Sequence, residues 1–189
     1  MIQRPSSDHH RRAVFLDRDG TIIEDLGYNC SPKDLRLIPG SAEAISALNQ
    51  QGWLVIVISN QSGIGRGLFT EEALQVFHQQ LMEELAQYNA YLDAIYYCPH
   101  TPDDKCHCRK PQVGLLEQAA ERYQIDCTRS WIVGDHDTDI LAGARIRCRT
   151  ALVLTGHGQN QPLDQLSPDL VAPDLATAVA HILQEDNAP

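Results

Sequence analysis

The sequence holds no apolar run long enough to cross a bilayer. Its longest, WLVIVI at 53–58, falls far short of the roughly 20 residues that a transmembrane helix needs. A surplus of basic charge is also missing: 15 Lys and Arg face 25 Asp and Glu, for a formal net charge of −10. Gripping a nucleic-acid backbone requires clustered cations, so neither nucleic acid nor a membrane is expected as a partner. The opening MIQRPSSDHHRR is polar, and the AVFL that follows is too short for the apolar part of a signal peptide. There is no internal repeat and no low-complexity stretch. A soluble, cytoplasmic protein is predicted, with a monomer as the expected state. A small anionic substrate stays compatible with the charge if a few cations converge locally.

What is present is an ordinary globular composition, 43% hydrophobic and 21% charged, which rules out wholesale disorder. Residues 1–12 read as a polar N-terminal tail and 13–189 as a single domain, long enough to bury a core without disulfides. Short apolar runs alternate with amphipathic stretches. AVFLD, WLVIVIS, LDAIYYC, SWIVGD and TALVLT read as five strands. SAEAISALNQQG reads as a helix with a serine cap and a glycine stop, and TEEALQVFHQQLMEELAQY as a long helix opening at Thr70. QVGLLEQAAERYQ, TDILAGARI and PDLATAVAHILQE supply three more helices. The segments GYNCSPKDLRLIPG and TGHGQNQPLDQLSPDLVAP read as loops. Such alternation predicts an α/β fold with a mostly parallel sheet and helices on both faces. No stretch is long enough for a second, inserted domain.

In open α/β sheets, ligands bind beyond the carboxyl ends of the strands, so the residues closing each apolar run are the ones to collect. They are Asp17 and Asp19 in LDRDGT, Ser59 and Asn60 in ISNQSG, Lys110 after the third strand, and Asp135 and Asp139 in GDHDTD. A single acid after a strand is usually a turn former or a cap. Two acids one residue apart, followed by Gly20, are harder to explain so. Extended residues alternate in direction, which lets Asp17 and Asp19 face one space. Nearby carboxylates repel unless a cation or a proton lies between them, and Asp135 completes an oxygen-rich set that suits Mg²⁺. For Asp139, a capping or supporting role is as open as ligation.

The stretch CPHTPDDKCHCRKP at 98–111 packs three cysteines and two histidines together. In a chain without secretory features this reads as a metal site before a disulfide. If Cys106 and Cys108 point one way in an extended segment, His107 points the other, leaving Cys98, His100, Cys106 and Cys108 for a tetrahedral Zn²⁺. Four protein ligands leave no open position, so this zinc would be structural, shaping the loop at 98–108 that delivers Arg109 and Lys110. A zinc deaminase would need H-x-E and P-C-x-x-C signatures that are absent. Cys30, Cys127 and Cys148 are expected as buried small apolar side chains.

Together DRDGT, Ser59, Lys110 and GDHDTD, in that order and at strand ends, resemble the four motifs of the haloacid dehalogenase (HAD) superfamily of phosphohydrolases, over roughly residues 13–157. The resemblance implies a Rossmann-like core without a large cap and a division of labour. Asp17 is implied as nucleophile and Asp19 as general acid and base. Ser59 and Lys110 would bind the phosphoryl oxygens. Mg²⁺ would be held by Asp17, the backbone carbonyl of Asp19, and Asp135. The C-x-H…C-x-C loop is similar to that of compact members acting on the 7-phosphate of a heptose 1,7-bisphosphate or on histidinol phosphate. NQSGIGRGLFT, YYCPH and Gly27–Tyr28 look more like the heptose branch. That likeness implies a small phosphorylated sugar as substrate, lined by Asp25, Asn60, Gln61, Ser62, Arg109 and His136. The rival from another class is a zinc-stabilised binding domain with a dead site.

Overall fold

The computed structural model describes residues 11–186; of the polar tail expected at 1–12, residues 1–10 lie outside the described residues. Six strands form one sheet: β1 (Ala13–Leu16), β2 (Leu54–Asn60), β3 (Ala94–Cys98), β4 (Trp131–Gly134), β5 (Arg149–Val153) and β6 (Leu170–Ala172). Their spatial order is β3-β2-β1-β4-β5-β6, and every pairing is parallel. The order reverses direction at β1, and the first strand sits in the middle. Beyond the carboxyl ends of β1 and its neighbours lies the crevice where open α/β sheets bind ligands.

The pleat divides the apolar residues of β1 between two cores. Val14 and Leu16 join Val55 and Val57 under α1 (Ser41–Gln50), α2 (Glu71–Ala86) and α5 (Leu175–Asp186). Ala13 and Phe15 join Leu54, Ile56 and Ile58 under α3 (Gly114–Tyr123) and α4 (Asp137–Arg145). Both faces are covered, which is why AVFL and LVIVI are apolar without alternation. Before β1, Arg11 bridges to Ile125 and Arg12 stacks over Trp53, 4.4 Å from the ring centroid. Among the described residues, no helix is long and apolar enough to cross a membrane.

Two local expectations change. Ser41 does not cap α1: the cap is Gly40, in the left-handed region at φ 82°, and the Ser41 hydroxyl instead donates to the Ile22 carbonyl at 2.8 Å. A side chain at position 40 would be strained by that backbone and would meet Ala176 at 3.1 Å. The sixth strand, β6, lies inside the segment read as a loop. It has three residues, pairs only with β5 and leaves Val171 exposed, too little apolar pattern to stand out. Cys30 and Cys148 are buried as expected, whereas Cys127 is only partly so.

Candidate active site

Where β1 ends, the chain turns sharply. The Arg18 carbonyl accepts from the amides of Thr21, Ile22 and Ile23, and Gly20 takes φ 77°. A Cβ on Gly20 would come within 2.2 Å of the Asp135 carboxylate, so glycine is what lets the two strand ends approach. Gly156, φ 51°, closes in from the loop after β5 and has the same clearance to Asp135. The result is a cleft of about 430 Å³ lined by Asp17, Asp19, Ser59, Lys110 and Asp135, with Asp25, Asn60, Gln61, Ser62, Arg109 and His136 around them. Residues scattered from 17 to 136 are therefore brought together on one rim, and the additional lining includes Tyr28, Thr138 and His157.

Lys110 is the electrostatic centre. Its ammonium is 3% exposed, 2.7 Å from Asp17 Oδ1 and 2.6 Å from Asp139 Oδ1, and it donates to the Ile58 carbonyl. These carboxylates outweigh the burial penalty and raise its pKa, so it stays charged. Asp139 accepts from the His136 amide with its other oxygen at 3.2 Å, completing the first turn of α4. Capping and support of Lys110 fall to the same side chain. Asn60 clamps the Lys110 peptide from both sides, accepting from its N–H at 3.0 Å and donating to its carbonyl at 3.1 Å. Gln61 lines the cleft, but its amide nitrogen donates to Ser59 Oγ at 2.7 Å and Asp19 Oδ2 at 2.8 Å. Its N–H groups are thus already engaged within the protein.

The acids lack enough positive charge. Burial pushes the Asp17 carboxyl up to about 8, against the opposing pull of Lys110 and reinforced by Asp139, Asp135 and Asp19. Burial likewise raises Asp135 to about 6, although the His157 amide donates to it at 2.7 Å. Ligand oxygens of Asp17, Asp135 and Asp139 lie within 4.8 Å of one another. With both Asp139 oxygens taken, one by Lys110 and the other by the His136 amide, Asp17 and Asp135 remain as a hard-oxygen pair that fits Mg²⁺.

In the loop that leads to the cleft-lining Arg109 and Lys110, the sulfurs of Cys98, Cys106 and Cys108 are 3.2–3.5 Å apart. His100 Nδ1 lies 3.2 Å from Cys108 and 3.6 Å from Cys98. A tetrahedron with Zn–S near 2.3 Å has S–S edges of about 3.8 Å. The cluster is a few tenths tighter than that and far too open for disulfides. All four groups fit one Zn²⁺. His107 points away and pairs with Glu117 at 3.1 Å.

This geometry has full-length relatives. The family described as HAD-hydrolase-like matches residues 107–178. The D-glycero-beta-D-manno-heptose-1,7-bisphosphate 7-phosphatases of Bordetella bronchiseptica and Pseudomonas aeruginosa are 39% and 40% identical, each match covering 92% of this chain and 99% of the relative. The chain belongs to the HAD-like phosphatases. Among solved members of the family, the B. bronchiseptica heptose bisphosphate phosphatase in complex with magnesium and phosphate superposes with a TM-score of 0.87, covering 92% of this chain and 99% of that one. The Burkholderia thailandensis enzyme, 34% identical, gives 0.72 with the same two coverages.

Two residues of this HAD-like phosphatase escape a reading by motif. Arg18 looks like a solvated charge between two acids, yet it is 1% exposed and donates to Asp19 at 2.9 Å. His157 lies in a loop, where its ring contacts Asp25 Oδ2 at 2.8 Å while its amide serves Asp135. The GHG spelling around His157 was the available signal. Arg18 offered none beyond its place between Asp17 and Asp19.

Proposed function

We propose that this protein hydrolyses the 7-phosphate of D-glycero-D-manno-heptose 1,7-bisphosphate through an aspartyl-phosphate on Asp17, in the cytoplasm. The observation that carries the chemistry is the ion pair of buried Lys110 with partly buried Asp17, facing the same cleft as Asp19 and Asp135. The substrate is supported by relatives of that name at about 40% identity over nearly their whole length.

Mg²⁺ held by Asp17, Asp135 and the main-chain carbonyl of Asp19 would supply charge neutralisation for the phosphoryl group. Everything else falls to the chain itself. One Asp17 oxygen attacks phosphorus as the bond from phosphorus to the sugar oxygen breaks. That oxygen leaves with a proton from Asp19, which spares it from departing as an alkoxide. Water then attacks the acyl phosphate, Asp19 takes its proton, and phosphate and free Asp17 are restored. Ser59 Oγ and Lys110 Nζ offer donors to the moving phosphoryl oxygens, and holding Lys110 between two carboxylates fixes its place before substrate arrives. Asp25, Ser62, Arg109 and His136 line the outer cleft, where a sugar and its second phosphate would lie. Zn²⁺ on Cys98, His100, Cys106 and Cys108 would fix the loop carrying Arg109 and Lys110.

Phosphate release from heptose 1,7-bisphosphate, measured beside histidinol phosphate, tests this reading. The bisphosphate is expected to have the larger kcat/KM by at least tenfold, and Asp17→Asn to abolish turnover of both. A preference for histidinol phosphate would reassign the substrate, and an active Asp17→Asn enzyme would end the mechanism. A binding domain with a dead site predicts no magnesium-dependent turnover at all.

A further inference from the structure

The guanidinium of Arg18 is almost fully buried, and burying such a cation is costly unless its N–H groups are paired. Its partners are Asp19 and His78, with Cys30 as a further hydrogen-bond contact. Nε lies 3.2 and 3.1 Å from the two carboxylate oxygens of Asp19, and Nη2 lies 2.9 Å from Oδ1. Nη1 lies 3.1 Å from Nε2 of His78 on α2, and the guanidinium carbon sits 4.8 Å from the centre of the Phe77 ring, one residue earlier on that helix. His78 is the acceptor in this contact, because burial and the adjacent Arg18 depress its pKa to about 3 and keep the ring neutral. α2 therefore seats a rigid fork whose other end holds one carboxylate of the cleft. Asp17, one residue on the other side, is held by Lys110 instead.

We propose that Arg18, anchored by His78 and Phe77, is a positioning residue that aims the Asp19 carboxylate at the leaving oxygen and the attacking water. The inference rests on the role given to Asp19 above. A guanidinium fork is planar and makes parallel bonds, so it fixes both the position and the plane of the carboxylate it holds. Proton transfer in the transition state depends on that placement.

A double-mutant cycle separates aiming from mere packing. Arg18→Met, Asp19→Asn and the double variant are compared by kcat/KM, which reports transfer to Asp17, on heptose 1,7-bisphosphate and on p-nitrophenyl phosphate. The nitrophenolate departs without a proton. Arg18→Met is expected to lose about 10²-fold on the sugar phosphate, within the range of general acid catalysis, and under about fivefold on the aryl ester. In the Asp19→Asn background it should cost nothing further on either. Arg18→Lys, which keeps charge but not the fork, should fall between wild type and Arg18→Met. If Arg18→Met does not fold, His78→Leu is carried through the same cycle and should show the same leaving-group selectivity at smaller size. Equal losses on both substrates, or an undiminished loss in the Asp19→Asn background, would overturn the inference. A wild type inactive on both esters, or an active Asp17→Asn, would bring down the underlying reading and this inference with it. Turnover that needs Asp17 together with an additive cycle would bring down this inference alone.

Discussion

Gly20 and His78 show how single residues set the limits of the site. A methyl group at position 20 would meet the Asp135 carboxylate at 2.2 Å on a backbone held at φ 77°. Gly20→Ala should therefore cost about 1–3 kcal/mol of stability and at least tenfold in kcat, read by urea unfolding and phosphate release. His78 is neutral in the fold, its pKa depressed to about 3 from the ordinary 6.5. The unfolded chain takes up a proton there below pH 6.5 and the folded chain does not, so this contribution is complete above 6.5 and is lost as pH falls toward 3. Between pH 7 and 5 the loss comes to about 2 kcal/mol. His78→Gln should be visibly less acid-sensitive than the wild type in the same unfolding series. The two positions also differ in how far sequence reveals them. Gly20 is conspicuous after two acids, because a reactive turn needs glycine. His78 is one polar residue among many on a half-exposed helix, and nothing along the chain tells that its partner is a buried arginine sixty residues earlier.

Strands and helices bring the cleft together through their ends, and the Cys/His loop proposed to hold zinc is the element with most leverage over it. β2 ends in Asn60, whose side chain brackets the Lys110 peptide, so the loop and the strand hold one another in register. Removing Zn²⁺ with a chelator selective for zinc over magnesium, with magnesium in excess, should lower kcat by at least tenfold and open 98–110 to proteolysis. Full activity with a cleaved loop would contradict the structural role given to this site. Thr70 caps α2 by accepting from the Ala73 amide at 3.2 Å, and Thr70→Ala should destabilise by about 1 kcal/mol. Elements buried on both faces, such as AVFL and LVIVI, were legible because burial removes every polar residue from the run. So were the acids at their ends. β6 was not, since a three-residue edge strand with one exposed side chain is held by its neighbour rather than by its own pattern. Ser41 misled for a related reason: Gly40 provides the turn, and the serine is drawn inward to the Ile22 carbonyl, which also accepts from the Ile38 amide.

Across the whole molecule, the crowding of negative charge at the carboxyl edge of the sheet is the feature on which stability and chemistry meet. In the metal-free fold the Asp17 carboxyl is raised to about 8 and Asp135 to about 6, both chiefly by burial. The folded state then holds protons that the unfolded chain has released, and the stability these groups contribute declines as pH rises from about 4 to about 8. A divalent ion replaces those protons. The rise in Tm on adding Mg²⁺ should therefore grow steadily between pH 5 and pH 8; a rise independent of pH would place the ion elsewhere. The parallel sheet with helices on both faces followed from alternating apolar and amphipathic segments, whereas the strand order with its switch at β1 did not, and the pairing of Lys110 with Asp17 depends on a loop whose course no local pattern dictates. The most direct test is chemical. Borohydride reduces an acyl phosphate to the alcohol, so quenching the enzyme with labelled borohydride during turnover and mapping the peptides locates the intermediate. Label at position 17, carried as homoserine and absent without substrate, is the predicted result. Label on another carboxylate, or none while phosphate is being released, would contradict it.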